Sequence, residues 1–230
     1  MVVVVYIMVN FRGDFIEYAV NINALENIVS PHYVYAKRFL DIVFSLFSII
    51  LLIPAFLLVA ILIKIDSKGS VLFCQHRYGY KGKIFKMYKF RSMVANAPSL
   101  QKELESKNEA KGQMFKIKND PRVTRVGRII RKSSIDELPQ LINVLKGDMS
   151  LVGPRPPILT EVDRYDPWHN LRLSVKPGIT GLWQTSKRNE AVFGDMVRLD
   201  LKYIRERNFW GDIKLILKTI PLLFGDKKAS

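Results

Sequence analysis

The feature that most constrains this chain is an uncharged run from Ile42 to Ile63. Its 22 residues include no Asp, Glu, Lys or Arg. A straight helix of that length would extend about 33 Å, just enough to cross the roughly 30 Å hydrocarbon core of a bilayer. Core helices of soluble proteins usually keep a polar face, whereas this run is apolar on every side. We therefore interpret it as a membrane helix rather than as a buried core helix.

The path of this helix through the membrane depends on Pro54, near the middle of the run. Proline removes one backbone hydrogen bond and favours a kink. Cations flank both ends, with Lys37 and Arg38 before the run and Lys64 after it, so the positive-inside rule gives no direction. These observations favour a re-entrant helix that is broken at Pro54 and returns to the same side. A spanning helix remains the alternative, because spanning helices also tolerate proline.

The charge of the chain is concentrated after this run. The formal net charge is +15, and only three of the 36 Lys and Arg residues precede Lys64. A basic surface of this kind selects an anionic partner, and lipid headgroups, phosphorylated small molecules and nucleic acid all qualify. The single cysteine, Cys74, excludes a disulfide within the chain and gives no zinc-site spacing. A reducing compartment is compatible with this composition.

We divide the chain into an N-terminal extension (1–30), a membrane helix (31–66) and a polar domain (67–230). Val2–Val9 is too short to span a bilayer, and we interpret it as a strand or an interfacial extension. Val71–Arg77 and Lys83–Phe90 flank a glycine-containing turn and predict a β-hairpin. The fold class expected is α+β, membrane-anchored and mostly helical, with a small hairpin or sheet.

Two helices are predicted near the C-terminus. Met196–Arg207 has helical periodicity, and Ile213–Phe224 places aliphatic residues beside Lys214 and Lys218. The second pattern is typical of an amphipathic helix lying in the membrane interface, with ordinary core packing as the equal alternative.

Two adjacent carboxylates, Asp136 and Glu137, stand in the most basic part of the chain. Pro139 favours a helix that starts near Asp136, because proline is best tolerated in a first helical turn. The apolar stripe expected for this helix, which Gly147 would stop, is Leu138, Leu141, Ile142 and Leu145. The carboxylates would then lie at a positive helix end, where a phosphate is also favoured. We infer a carboxylate that acts on a phosphate, and a helix cap balancing nearby arginines is the alternative.

Arginines precede and follow this pair. Asn119–Arg122 is expected to open a helix along which arginines recur at every third position, as Arg122, Arg125, Arg128 and Arg131. Gly153–Pro157 restricts several consecutive φ angles around Arg155, whose planar fork matches phosphate geometry. Both groups favour an anion near the carboxylates, although charged runs are often only solvated surfaces.

Together these motifs resemble the bacterial monotopic phosphoglycosyl transferases, a family that loads a sugar phosphate onto a polyprenyl phosphate carrier. The resemblance extends from about Lys37 to Phe224, and the order of five motifs makes it specific. These motifs are Lys37–Asp41, Tyr88–Met93, Asp136–Leu141, Gly147–Pro156 and Lys176–Gly181.

The resemblance implies a re-entrant helix with both ends cytosolic, at the bacterial inner membrane, and a ping-pong reaction on a UDP-sugar. Asp136 resembles the nucleophile that holds the phosphosugar covalently until polyprenyl phosphate accepts it. Glu137 resembles its partner, which assists proton transfer or helps to hold Mg²⁺ with Asp136. Lys89, Arg131 and Arg155 are the expected phosphate contacts. We expect the cations to lower the pKa of the catalytic carboxylate.

Three points qualify the resemblance. Ile53 stands before Pro54, where the family often has a serine, so a hydroxyl contribution to the helix break is absent. The chain resembles the minimal catalytic unit with a short extension, and Gly112–Asp120 looks more like the branch that transfers hexose phosphates, such as glucose or galactose.

Membrane lipid is an expected partner and nucleic acid is not, and a homo-oligomer is left open. The competing hypothesis is a membrane-tethered basic module that binds anionic lipid or nucleic acid without catalysis.

Overall fold

The computed structural model of the chain describes residues 4–11, 14–21, 29–100, 103–104, 117, 119–186 and 193–223. Within these ranges the fold is α+β and mostly helical, as expected. The strands are β1 (Val4–Phe11), β2 (Asp14–Asn21), β3 (Leu72–Tyr78), β4 (Ile84–Phe90), β5 (Ser150–Val152) and β6 (Gly178–Thr180). The helices are α1 (Pro31–Asp66), α2 (Arg125–Lys132), α3 (Gln140–Lys146), α4 (Leu159–Val162), α5 (Leu182–Ser186), α6 (Phe193–Glu206) and α7 (Phe209–Leu223).

Helix α1 contains the whole uncharged run. Ser30 caps its N-terminus by accepting a hydrogen bond from the Tyr33 backbone N–H, and Pro31 occupies the first turn. Among the described residues it is the one helix long and apolar enough to cross a membrane, and 11% of its most apolar window is buried in the protein. The helix continues through Pro54 as a single element of 36 residues. The predicted break at this proline is therefore not confirmed.

Three two-stranded sheets accompany the helices. Strands β1 and β2 pair antiparallel from Val4↔Asn21 to Phe11↔Asp14, which confirms a strand at the N-terminus. Strands β3 and β4 form the predicted hairpin, also antiparallel. Strands β5 and β6 are parallel. The segment Gly112–Asp120, on which the hexose preference was based, lies mostly outside the described residues.

Of the three buried apolar clusters in the described part of the chain, two hold the hairpin and α1 in place. The larger one joins the β3–β4 hairpin to α3, β5, α6 and α7, with Met87, Val144, Met149 and Ile204 among its buried members. The smaller one packs Val59 and Ile63 of α1 against Phe90 and Ile130. Full burial of one such side chain stabilises the fold by about 1.5–3 kcal/mol.

The structure corrects two expectations about helices α2 and α3. Helix α2 begins at Arg125 with Thr124 as its N-cap, because Arg122 instead pairs with the neighbouring Asp120 at 2.6 Å. The buried face of α3 includes Leu141 from the expected stripe, but its other buried residues are Gln140, Asn143 and Val144. Asn143 turns inward because its amide pairs with the backbone of β4: Nδ2 donates to the Lys86 carbonyl, and Oδ1 accepts from the Tyr88 N–H.

Helix α7 buries one face and exposes another. Asp212 and Leu215 are buried, whereas the side chain of Trp210 is 77% exposed. The helix predicted here is confirmed, and packing on the core accounts for its inner face. Its placement in the membrane interface stays a prediction.

Both ends of α1 are bound to the polar domain. Near the start, Lys37 pairs with Asp212 at 2.7 Å, and Arg38 donates to the carbonyls of Val144 and Leu145. At the end, Asp66 accepts from the Val126 N–H at 2.9 Å. The same polar domain therefore binds both ends of the apolar helix.

Candidate active site

The two predicted catalytic carboxylates lie on a 3-10 turn, Ile135–Glu137, between α2 and α3. The turn follows Ser134, whose φ of 55° is in the left-handed region that non-glycine residues rarely adopt. The α-helix itself begins only at Gln140 and has seven residues. The expectation that the carboxylates sit at the end of a helix starting near Asp136 is thus wrong: a sharp turn presents them instead.

Close packing of α2 places one of the predicted arginines beside this turn. A Cβ on Gly127 would lie 2.0 Å from the Ser92 carbonyl oxygen, so only glycine permits the approach. Arg131, on the same helix, donates from Nε to Ser92 Oγ at 2.8 Å. Its positive charge is close enough to Asp136 to lower the pKa of that carboxyl group.

Strand β4 supplies the second cation. Lys89 Nζ lies 2.6 Å from Glu137 Oε1, and the two side chains are 21% and 32% exposed. An ion pair with this much exposure retains contact with solvent, so its charged atoms remain accessible to another charged group. The structure therefore brings together Asp136, Glu137, Lys89 and Arg131, as the sequence predicted.

Burial determines the protonation behaviour of Asp136. Its side chain is buried, and its pKa is raised to about 6: desolvation and the neighbouring Glu137 raise the pKa, whereas Lys89 and Arg131 lower it. The expectation of a lowered pKa was wrong in direction, because the cost of removing the carboxylate from water outweighs the attraction of the cations. At neutral pH the group is mostly ionised but poorly solvated.

The fifth predicted residue, Arg155, occupies the edge of this group. Its guanidinium lies over the ring of Trp183, 5.9 Å from the centroid, and its side chain is partly buried. It interacts electrostatically with Arg77, which in turn interacts with Glu137. Within the described residues, the contact seen for the Arg155 side chain is with Trp183 and not a hydrogen bond to Asp136 or Glu137. Arg155 therefore stands apart from the other four predicted residues.

Arg77 was missed by the sequence reasoning. It is buried on β3 and donates to Gln75 Oε1 and to the Pro156 carbonyl. Burial and the nearby Arg155 lower its pKa to about 10, while Glu161 and Glu137 act in the opposite direction. Alternation along a strand places Gln75 and Arg77 on one face, but no local pattern indicates that this face is the buried one.

The oxygen donors of the carboxylate pair suit magnesium. The described residues contain no group of three or more His, Cys, Asp or Glu that could hold a metal ion by themselves. Mg²⁺ is, however, commonly bound by one or two carboxylates together with substrate phosphates. Asp136 and Glu137 fit that mode of binding, in which a phosphate completes the coordination.

Comparisons with known proteins identify relatives of this chain. A family model described as "Bacterial sugar transferase" matches residues 32–226. The chain is 50% identical to "Galactosyl transferase CpsE" of Streptococcus agalactiae over 190 residues, covering 82% of this chain and 42% of the relative. It is 46% identical to "Undecaprenyl-phosphate galactose phosphotransferase" of Salmonella typhimurium over 194 residues, covering 82% and 40%.

A shorter relative is matched over most of its length. The chain is 40% identical to "Exopolysaccharide production protein ExoY" of Sinorhizobium fredii over 190 residues, 81% of this chain and 84% of the relative. By contrast, the matches to the first two relatives span about two fifths of their length.

Proposed function

This chain belongs to the bacterial sugar transferase family, and from that premise we propose that it is a phosphoglycosyl transferase. It transfers a sugar 1-phosphate from a UDP-sugar to polyprenyl phosphate, such as undecaprenyl phosphate, and releases UMP. Two relatives whose names specify galactose, one of them naming undecaprenyl phosphate, favour a hexose such as galactose as the sugar. The product would initiate an exopolysaccharide, capsule, O-antigen or glycoprotein glycan.

The reaction has two displacements at one phosphorus atom. A carboxylate oxygen of Asp136 attacks the β-phosphorus of the UDP-sugar and forms an O–P bond, while the bond from that phosphorus to the bridging oxygen breaks. The bridging oxygen leaves on UMP with the electron pair. An oxygen of polyprenyl phosphate then attacks the same phosphorus, the aspartyl O–P bond breaks, and the carboxylate is regenerated. Covalent catalysis thus divides one difficult transfer into two steps.

The observation that carries this proposal is the desolvated Asp136 beside cations on neighbouring elements. A pKa of about 6 leaves the carboxylate ionised at neutral pH without the hydration that would weaken it as a nucleophile. Lys89 and Arg131 are placed to stabilise the negative charge of the transferred phosphate. Glu137 holds Lys89 in position through its 2.6 Å ion pair. Arg155 contacts the phosphates of the donor from the edge of the site.

Magnesium, held by Asp136, Glu137 and a donor phosphate, would neutralise charge on the diphosphate and on the UMP that leaves. Lys89 and Arg131 contribute to the same neutralisation from the protein side.

The attachment of α1 supports a re-entrant path. That the catalytic domain lies on the cytosolic face of the inner membrane is part of the proposal and rests on the resemblance to the family. Lys37 and Arg38 bind the polar domain near one end of the helix, and Asp66 binds it at the other. A charged domain cannot lie on both sides of a bilayer, so ends fixed to one domain belong on one side. The exposed apolar side chains of the middle turns would then enter one leaflet.

Single cysteines test this topology. Replacing the exposed Cys74 by serine gives the background, and His32→Cys and Lys68→Cys then mark the two ends of α1. In right-side-out cells, neither site should react with a membrane-impermeant maleimide added from outside, and both should react after permeabilisation. Reaction of only one site from outside would establish a spanning helix.

The catalytic proposal is tested with the full chain in lipid nanodiscs containing undecaprenyl phosphate and radiolabelled UDP-galactose. Asp136→Asn keeps the shape of the side chain but removes its charge, and we expect UMP release to fall at least about 10³-fold. Incubation with the donor alone should add the mass of a phosphohexose to the wild-type chain and not to Asp136→Asn. A fully active Asp136→Ala would exclude the proposed nucleophile, and salt-sensitive DNA binding without turnover of any UDP-sugar would favour the basic module instead.

A further inference from the structure

Two successive backbone carbonyls, those of Arg155 and Pro156, are each held by a buried arginine. Arg172 donates from Nη2 to the Arg155 carbonyl at 3.0 Å, and Arg77 donates from Nη1 to the Pro156 carbonyl at 2.9 Å. The donors are 2% and 6% exposed, respectively. The two carbonyls are adjacent in the chain, so a short segment is held at both of them by side chains from elsewhere in the fold.

The two holding arginines are fixed by different parts of the fold. Arg172 forms an ion pair with Asp200 of α6 at 2.8 Å and donates to the Tyr165 hydroxyl. Arg77 lies on β3 and donates its other N–H groups to Gln75 Oε1. The segment that carries Arg155 is thereby attached to the hairpin on one side and to α6 on the other.

The prolines around Arg155 do not provide this attachment. Pro154, Pro156 and Pro157 restrict local backbone angles, and a residue before proline is confined to extended conformations. These restrictions stiffen the segment but do not determine where it lies relative to the carboxylates. Contacts with the rest of the domain determine the position of the segment. The guanidinium groups of Arg77 and Arg172 supply such contacts at Arg155 and Pro156.

We propose that Arg77 and Arg172 are positioning residues, which hold the Arg155–Pro156 backbone so that the Arg155 guanidinium stays over Trp183 and faces the diphosphate of the UDP-sugar. This inference rests on the proposed function. A long arginine side chain loses conformational freedom when it is ordered, and a backbone that is already fixed removes part of that cost from binding. Replacing a positioning residue should therefore weaken binding of the UDP-sugar, and this effect should depend on the presence of Arg155.

Steady-state kinetics of the full chain in nanodiscs tests this role. Arg77→Gln is expected to raise KM for the UDP-sugar about ten-fold while leaving KM for undecaprenyl phosphate within about two-fold. Arg77→Lys keeps the charge but loses the fork that reaches both acceptors, so its effect should be intermediate. Arg77 is the better test position than Arg172, because replacing Arg172 would leave Asp200 buried without its partner.

Arg91→Gln is the matched control. Arg91 is also 6% exposed, and like Arg77 it donates to backbone carbonyl oxygen, in this case that of Ser67 and that of Lys68 at the end of α1. We expect this variant to lose thermal stability by a similar amount without a rise in KM for the donor. An equal rise in both variants would mean that Arg77 has only a general structural role and would overturn the proposal.

A double-mutant cycle asks whether Arg77 acts through Arg155. In an Arg155→Ala background, Arg77→Gln should produce no further rise in KM for the donor. Fully additive effects would show that Arg77 contacts the donor independently and would contradict a positioning role.

A spectroscopic experiment separates this inference from the proposed function, because it needs no substrate. The chain has three tryptophans, so 5-fluorotryptophan labelling gives three ¹⁹F signals, and Trp183→Phe assigns one of them. Arg77→Gln should move the Trp183 signal in the same direction as Arg155→Ala does, and Arg91→Gln should leave it in place. An unchanged signal in Arg77→Gln would refute the positioning role, even if the enzyme is active. The expected signal shifts without turnover of any UDP-sugar would instead refute the proposed function.

Discussion

The site and the adjacent domain core each contain an ion pair at short distance, and the two pairs differ in burial. Arg172 and Asp200 lie 2.8 Å apart, and each side chain is 1% exposed. Lys89 and Glu137 are slightly closer, at 2.6 Å, but are 21% and 32% exposed. A buried pair cannot lose one partner without leaving an uncompensated charge, whereas a partly exposed pair can exchange its partner for water or another ion. The first pair is therefore suited to fixing the fold and the second to binding a charged substrate.

The largest effect is expected from breaking the buried pair. Arg172→Met leaves Asp200 buried without its partner and should lower the free energy of unfolding by about 3–5 kcal/mol. Equilibrium urea unfolding in detergent micelles measures this loss. The double variant Arg172→Met/Asp200→Leu removes both charges and should recover most of the stability. If the single variant is as stable as wild type, this pair does not fix the fold.

The next effect concerns activity rather than stability. Lys89→Met should reduce kcat/KM for the UDP-sugar by on the order of 10²-fold, because it removes positive charge beside the transferred phosphate. Its free energy of unfolding should change by less than about 1 kcal/mol, as for other partly exposed pairs. Lys86→Met, at an exposed position on the same strand, is the matched control and should keep its activity. Equal losses in both variants would indicate a general effect of charge.

A smaller effect is expected on pH dependence. Asp136 must be ionised to attack, and burial raises its pKa to about 6, so kcat/KM should fall as the pH decreases through that value. Because Lys89 lowers this pKa, Lys89→Met should move the acidic limb to higher pH. Profiles of kcat/KM for both proteins check the direction. A limb that moves to lower pH would contradict the assignment to Asp136.

The smallest effect is expected at the surface. Arg198 and Asp195 are 57% and 52% exposed and lie 3.2 Å apart on α6. Arg198→Ala should change the free energy of unfolding by less than about 0.5 kcal/mol and leave UMP release unchanged. The same unfolding and activity assays measure both quantities. A loss comparable to that of Arg172→Met would show that burial does not explain the contrast between the pairs.

Local patterns predicted those parts of the fold that depend on neighbouring residues. The β3–β4 hairpin follows from two apolar strands around a glycine-containing turn, and the end of α3 follows from Gly147, which adopts a left-handed φ of 85°. The start of α2 was misplaced at Asn119–Arg122: Arg122 pairs with Asp120, and the helix begins at Arg125 after its N-cap Thr124. The long apolar helix was recognised from composition alone, but its continuity through Pro54 was not.

The site residues were predicted only in part, again because local patterns do not show which distant side chains come together. Asp136, Glu137, Lys89 and Arg131 were assigned from motifs, and the structure brings them together. Arg77 was missed, because an arginine on an edge strand gives no sign that it points into the domain. The role of Arg155 as a phosphate contact stays a prediction, and its position over Trp183 was not predicted because it joins two distant parts of the chain.

By itself, the sequence determined that the chain has a long apolar helix, a carboxylate pair among cations and the motifs of a sugar transferase, since each of these features is formed by contiguous residues. Only the tertiary structure decided that both ends of α1 are bound to one domain, that Arg77 and Arg172 hold the backbone at Arg155, and that the pKa of Asp136 is raised rather than lowered. Attraction by cations can be guessed from their number. Desolvation depends on every atom that displaces water around the carboxylate, and those atoms come from elements far apart in the chain.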